Sequence, residues 1–151
     1  MKIAVTAATG KLGKAIIEEL KNHIESHNII GIARTPSKAK ELKIEVRYGD
    51  YQDKESFSDA LKGVGKLILI SGNDAPEKRI GQHQNVIQAA KQNNVQKIVY
   101  VSIIGKEELS GFDPIIKSNR QTEKDLKESG VQWAIGRNGL YIDADLESIP
   151  D

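Results

Sequence analysis

Six short apolar runs, each followed by a segment of helical period, constrain the fold of this chain more than any other feature. They are "KIAVTA" from Lys2, "NIIGIAR" from Asn28, "IEVRYGD" from Ile44, "KLILIS" from Lys66, "KIVYVSI" from Lys97 and "VQWAIGR" from Val131. The runs are rich in isoleucine and valine and nearly continuous, which suits strands buried on both faces, as in a parallel sheet. Between them, Leu12, Ile16 and Leu20 fall on one stripe of a first helix, and Ile80, His83, Ile87, Ala90 and Asn94 follow one side of a fourth. A shorter helix covers Pro36 to Leu42. The third begins near Asp53 and stops at Gly63 and Gly65; the fifth opens on Asp113 and Pro114, a cap and first-turn pairing, and stops at Gly130. Alternating strand and helix implies right-handed parallel crossovers. The expected fold is therefore α/β, a doubly wound parallel sheet of Rossmann type. Its six strands run in the order 3-2-1-4-5-6, and a ligand crevice opens at the carboxyl ends of strands one and four.

The 151 residues suffice for one core and not for two ordinary domains. Residues 1–137 read as the nucleotide-binding domain, and 138–151, "NGLYIDADLESIPD", as an acidic tail that starts a further lobe. Twenty-two basic against 21 acidic side chains leave a net charge of +1, so no overall field draws the chain to nucleic acid or to an anionic membrane. The absence of cysteine excludes disulfides, thiolate metal sites and a cysteine nucleophile. His23, His27 and His83 lack the spacing of a zinc site, so no metal is expected. With no signal-peptide pattern and no apolar run near the length of a membrane span, a cytoplasmic protein is expected.

The stretch "VTAATGKLG", Val5 to Gly13, lies between the first strand and the first helix. In a dinucleotide turn one glycine permits the tight bend, one admits the pyrophosphate and one lets helix pack on strand. Gly10 and Gly13 suit the last two roles, and the helix they open offers amides and a dipole that favour an anion. Ala7 stands at the first glycine's place; its methyl is tolerable at negative φ and costs about 1–2 kcal/mol at positive φ. A P-loop would need glycine at Ala8 and a hydroxyl at Ala15. At the end of the second strand an acidic residue would favour NAD(H); Arg34 stands there instead, with Lys38 a turn later, so NADP(H) is favoured unless both are ordinary surface charges. Asp50 would either accept from the adenine amino group or cap its turn. Ser71 and Gly72 end the fourth strand, where small residues let a cofactor lie close or simply let the strand exit.

Taken together, "TAATGKLG", "ARTPSKA", "GDYQDKESFSDALKGVGKLILIS", "HQNVIQAAKQNNVQKIVYVSI" and "TEKDLKESGVQWAIGRNGLY" resemble the NmrA-like branch of the atypical short-chain dehydrogenase/reductase superfamily. That branch includes the type-2 bacterial NAD(P)H:quinone reductases. The resemblance covers the whole chain. It implies cofactor contacts at Gly10, Lys11, Leu12, Gly13, Arg34, Lys38, Asp50, Ser71 and Ser102 and at the "RNGLY" turn from Arg137 to Tyr141, which in relatives lies near the nicotinamide; Thr9, Gly72 and Asn138 complete twelve candidate positions. The superfamily's tyrosine and lysine pair falls at Ile115 and Asn119, which can neither donate a proton nor supply a cation. No catalytic side chain is assigned. Asn119 and Thr122 would orient a substrate or lie at a helix margin.

Hydride transfer to a quinone needs less from the protein, because the acceptor is already electrophilic and its oxygens take protons from water. The resemblance thus implies an NADPH-dependent oxidoreductase acting on a quinone or a similar small electrophile. Two alternatives are a non-catalytic NADP(H)-sensing regulator with a protein partner, and a shortened, inactive homologue. Relatives carry a substrate lobe beyond this length. Without it, apolar surface beside the sixth strand would be open to a second copy of the chain, a homodimer.

Overall fold

A computed structural model of the chain describes residues 1–105 and 113–139. Six strands, β1 (Lys2–Val5), β2 (Ile29–Ala33), β3 (Glu45–Tyr48), β4 (Val64–Ile70), β5 (Lys97–Ile103) and β6 (Gln132–Asn138), form one sheet in the order β3-β2-β1-β4-β5-β6. Every pairing is parallel; Val5 on β1, for example, stands opposite Gly31 on β2 and Ile68 on β4. Among the described residues four helices cover it: α1 (Lys11–Lys21), α2 (Lys54–Ala60), α3 (Pro76–Gln92) and α4 (Asp113–Glu128). This is the Rossmann-like order that the alternation of elements implied, with the change of winding direction between β1 and β4.

Continuous apolar character marks the central strands, and every residue of β2 is buried. The edges differ. β3 and β6 are largely exposed or half-buried, since each has a partner on one side only, so expecting every run to be buried on both faces does not hold for these two. One apolar layer, with Phe57, Leu61, Leu67, Leu69, Val86, Tyr100 and Leu126, lies between the sheet and α2, α3 and α4. The other, with Val5, Ile17, Ile29 and Leu42, lies under α1. Each fully buried Leu or Ile contributes about 1.5–3 kcal/mol.

The helices differ in detail from their sequence stripes. On α1 the fully buried positions are Gly13 and Ile17, one turn apart, while Leu12, Ile16 and Leu20 flank them half-buried. The segment Pro36–Leu42 is 3-10 rather than α-helix, kinked at Ala39. Asp53 caps α2 by accepting from the amides of Glu55 and Ser56. α3 ends at Gln92, so Asn94, with φ +55, lies in the turn beyond it and not on the stripe. Tail residues 140–151, including Tyr141 of the "RNGLY" turn, lie outside the described residues, as do residues 106–112. Among the described residues no helix is long and apolar enough to cross a membrane.

Candidate nucleotide-binding groove

The turn after β1 runs straight into α1 and sets the floor of a groove. Ala7 adopts φ +50, the left-handed region, so the costly case for its methyl is the one that occurs. Its carbonyl accepts from the Gly10 amide at 2.9 Å, and the Ala8 amide donates to Ile32 of β2 at 3.1 Å. Gly13 packs against this turn so closely that a β-carbon there would stand 2.2 Å from the Ala7 oxygen. The start of α1 has no side-chain cap and no acidic residue in its first turn. An anion-attracting helix end is thereby left open to the groove.

Two cavities, of about 420 and 460 Å³, meet above this turn and share Ala7, Gly10, Ser71, Gly72 and Asn73. The first extends over β2 and β3 and brings together Thr9, Gly10, Arg34, Lys38 and Asp50. The second extends over β4, β5 and β6 and brings together Lys11, Leu12, Gly13, Ser102, Ile115, Asn119 and Asn138. All twelve candidate positions therefore line one groove. Arg34 and Lys38 are exposed at one end, and neither forms an ion pair with a described residue. Asp50 accepts from the Gln52 amide at 3.0 Å, which closes its turn and occupies one carboxylate oxygen.

At the other end, polar side chains bind one another. Ser71 Oγ lies 2.9 Å from the Tyr100 hydroxyl and 3.0 Å from the Val101 carbonyl. Tyr100 donates to Asn119 Oδ1 at 2.6 Å, and Asn119 Nδ2 donates to the Ile115 carbonyl at 2.8 Å. Asn119 is thus a buried brace whose polar atoms are already engaged. Ser102 donates to Glu123 Oε1 at 2.6 Å; Glu123 also takes Arg120 at 2.8 Å and Arg137 at 2.5 Å. Burial pushes the Glu123 carboxyl up, but the hydrogen bonds from Arg137 and Ser102 and the charges of Arg120 and Arg137 outweigh it and hold the group below the usual carboxylate range. Arg137, expected in a turn, lies instead near the end of β6 and is spent on Glu123.

A second polar chain passes behind the groove. The Gly72 amide donates to His83 Nε2 at 3.1 Å, so the ring's proton sits on Nδ1, which donates to Thr122 Oγ1 at 2.9 Å; Thr122 donates to the Ser118 carbonyl at 3.1 Å. Burial, aided by the nearby Arg79 charge, pushes the His83 pKa down to about 3. The Tyr51 hydroxyl lies 2.7 Å from Thr6 Oγ1 and 2.5 Å from the Ile70 carbonyl, tying β1, β3 and β4 together beneath the groove. Sequence reasoning missed Arg79, Glu123, Tyr51 and Thr6. For Glu123 the available signal was a charged residue three positions before the buried Leu126 on α4; for Arg79, Tyr51 and Thr6 the sequence carried none.

A parallel doubly wound sheet, a glycine turn leading into an uncapped helix, and a groove across the strand ends define a dinucleotide-binding domain of the Rossmann kind. The profile of the NAD(P)H-binding family matches residues 7–148, and the chain belongs to that family in its NmrA-like form. It is 39% identical over 151 residues to quinone oxidoreductase 2 of Escherichia coli, covering 98% of this chain and 52% of the relative. An NmrA-like oxidoreductase of Aspergillus flavus is 31% identical, covering 95% of this chain and 49% of that protein. The structure of Citrobacter sp. triphenylmethane reductase complexed with NADP(H) superposes with a TM-score of 0.91 at 36% identity, covering 96% of this chain and 52% of that one. That of the E. coli NADPH-dependent quinone oxidoreductase with NADPH superposes at 0.88 and 39%, covering 97% and 52%. The chain thus spans about half the length of the relatives it matches.

Proposed function

We propose that the chain binds NADPH along the groove and supports hydride transfer to a quinone or a similar small electrophile. One observation carries this reading: one groove has Arg34 and Lys38, without an ion-pair partner among the described residues, at one end and, at the other, a cavity lined by Ile115 and Asn119 in place of a protonating pair. The residues present suit the nucleotide. An uncapped helix end faces the diphosphate position, and the Gly13 side of the turn is so tight that only glycine fits. Arg34 and Lys38 would hold the 2'-phosphate, Thr9 and Asp50 would border the adenosine, and Ser71, Gly72, Ser102 and Asn138 would border the nicotinamide.

The bound nucleotide would supply the hydride. The chain's own residues would orient donor and acceptor and narrow the space between them, and the reduced acceptor would take its proton from water. The relatives named for NADPH and quinone reduction support this reading at the level of family.

The test is direct: the purified chain is mixed with NADPH and a simple benzoquinone while reduced-nicotinamide absorbance is followed. Turnover that disappears in Arg34→Ala supports the proposal. Binding of oxidised and reduced cofactor alike without turnover supports instead a nucleotide-sensing role, the second reading, which the missing pair at Ile115 and Asn119 favours.

A further inference from the structure

Arg79, in the first turn of α3, lines the same cavity as Ile115, Asn119 and Ser71, and not the one that holds Arg34 and Lys38. It is only 8% exposed. One guanidinium nitrogen, Nη2, donates to the Asp74 carbonyl at 3.0 Å, while Nε is buried with no hydrogen-bond partner. No described carboxylate lies within ion-pair distance of it.

The groups around Arg79 leave its charge without a direct ion pair, the Asp74 carboxylate acting on it only from beyond contact distance. The Asp74 carboxylate on the preceding loop accepts from Gln82 and Gln52 instead. His83, one turn along α3, is neutral, and burial keeps the Tyr100 hydroxyl on β5 protonated. Glu123 on α4 is taken by Arg120, Arg137 and Ser102. A buried cation with no anion in direct contact is costly to keep, and a ligand anion in the adjoining cavity would relieve that cost.

We propose that Arg79 makes this end of the groove an oxyanion site. It supplies the positive charge that Asn119 lacks and stabilises the phenolate-type oxygen formed on the acceptor. This rests on the reading above. A hydrogen and two electrons reach the acceptor as the donor's C–H bond breaks and a new bond to hydrogen forms. The electron pair displaced on the acceptor settles on its carbonyl oxygen, facing Arg79, until water protonates it. The donor is oxidised and the acceptor reduced.

The test uses para-nitrophenol, whose phenolate is coloured, titrated with pH in the presence of the full chain, with and without NADP+. The wild type is expected to lower the bound probe's ionisation midpoint by about one unit, a tenfold preference for phenolate over phenol. Arg79→Lys should keep part of the shift, and Arg79→Gln and Arg79→Met should lose it while their circular dichroism stays that of the wild type. A midpoint equal to that of free probe, or a shift that survives in Arg79→Gln, overturns the proposal. So does a tenfold loss of NADP+ affinity in Arg79→Gln with the probe's shift intact, because the guanidinium would then serve the diphosphate. Failure of the broader reading shows separately, as absence of NADPH binding in calorimetry.

Discussion

A β-carbon on Gly13 would stand 2.2 Å from the carbonyl oxygen of Ala7, and Ala7 holds that oxygen in place from a left-handed backbone with φ +50. The two residues form one device: the turn can be this tight only because the helix offers it a glycine. Gly13→Ala is expected to force helix and strand apart, at about 1–3 kcal/mol for overpacking, and to abolish nucleotide binding in calorimetry. Ala7→Gly acts in the opposite direction. It relieves about 1–2 kcal/mol of backbone strain and returns about 0.5–1 kcal/mol as glycine entropy. A thermal midpoint unchanged or higher by up to about 6 °C is expected, with nucleotide affinity equal or tighter; a lower midpoint would show that the methyl packs usefully.

Arg34 and Lys38 stand at the open end of the groove with no ion-pair partner among the described residues. If they hold a 2'-phosphate, Arg34→Ala should remove charge-assisted hydrogen bonds of about 1.5–3 kcal/mol. NADPH affinity would then fall roughly 10- to 100-fold while NADH affinity stays the same. Because both side chains are exposed, the difference should shrink as salt is raised. Equal losses for the two nucleotides would sink the assignment.

His83 gives the fold a pH dependence. Its folded pKa is pushed down to about 3 from an ordinary 6.5, so the folded ring stays neutral while an unfolded chain takes up a proton. Its contribution to stability is complete above about pH 6.5 and is lost as pH falls toward about 3. Urea unfolding between pH 6.5 and 5, above the range where carboxylates titrate, should show stability falling with a slope approaching about 1.4 kcal/mol per unit. His83→Gln should flatten that slope. An unchanged slope would place the titration elsewhere.

The sheet order was legible as the natural order for six strands alternating with helices, since handedness narrows the choice and the glycine turn after β1 marks the Rossmann arrangement, and the groove lining was legible because strand ends and one glycine turn place it. What was not legible depends on which polar groups the packing encloses. Nothing in "EKRIGQH" says that Arg79 rather than Ile80 turns inward; that depends on how α3 leans against α4, with Arg79 buried and Ile80 half-exposed. The stripe on α1 was displaced for a similar reason. Gly13 brings the helix so near the turn that Ile17, one turn on, takes the central place expected for Ile16. The edge strands β3 and β6 carry more charged and polar residues than the central β2, β4 and β5, so their exposure was partly legible once the apolar runs were read residue by residue.

Glu123 is 2% exposed, and it holds α4 to the ends of β5 and β6 through Ser102 and Arg137, with Arg120 on its own helix. Removing one member of a buried ion pair costs about 3–5 kcal/mol. Arg137 is nearly half-exposed, so water relieves part of that cost. Glu123→Gln is therefore expected to destabilise by about 3 kcal/mol in urea unfolding at neutral pH. The difference from wild type should narrow in acid, because the folded carboxyl titrates below its ordinary 4.5 and its contribution, present above that pH, is lost as pH falls through the lower folded value. Arg137→Ala should cost less than Glu123→Gln, since Arg120 and Ser102 still serve the carboxylate while the glutamine leaves two cations without their anion. The reverse ranking would mean that the β6 contact, rather than the buried carboxylate, holds this end of the groove together.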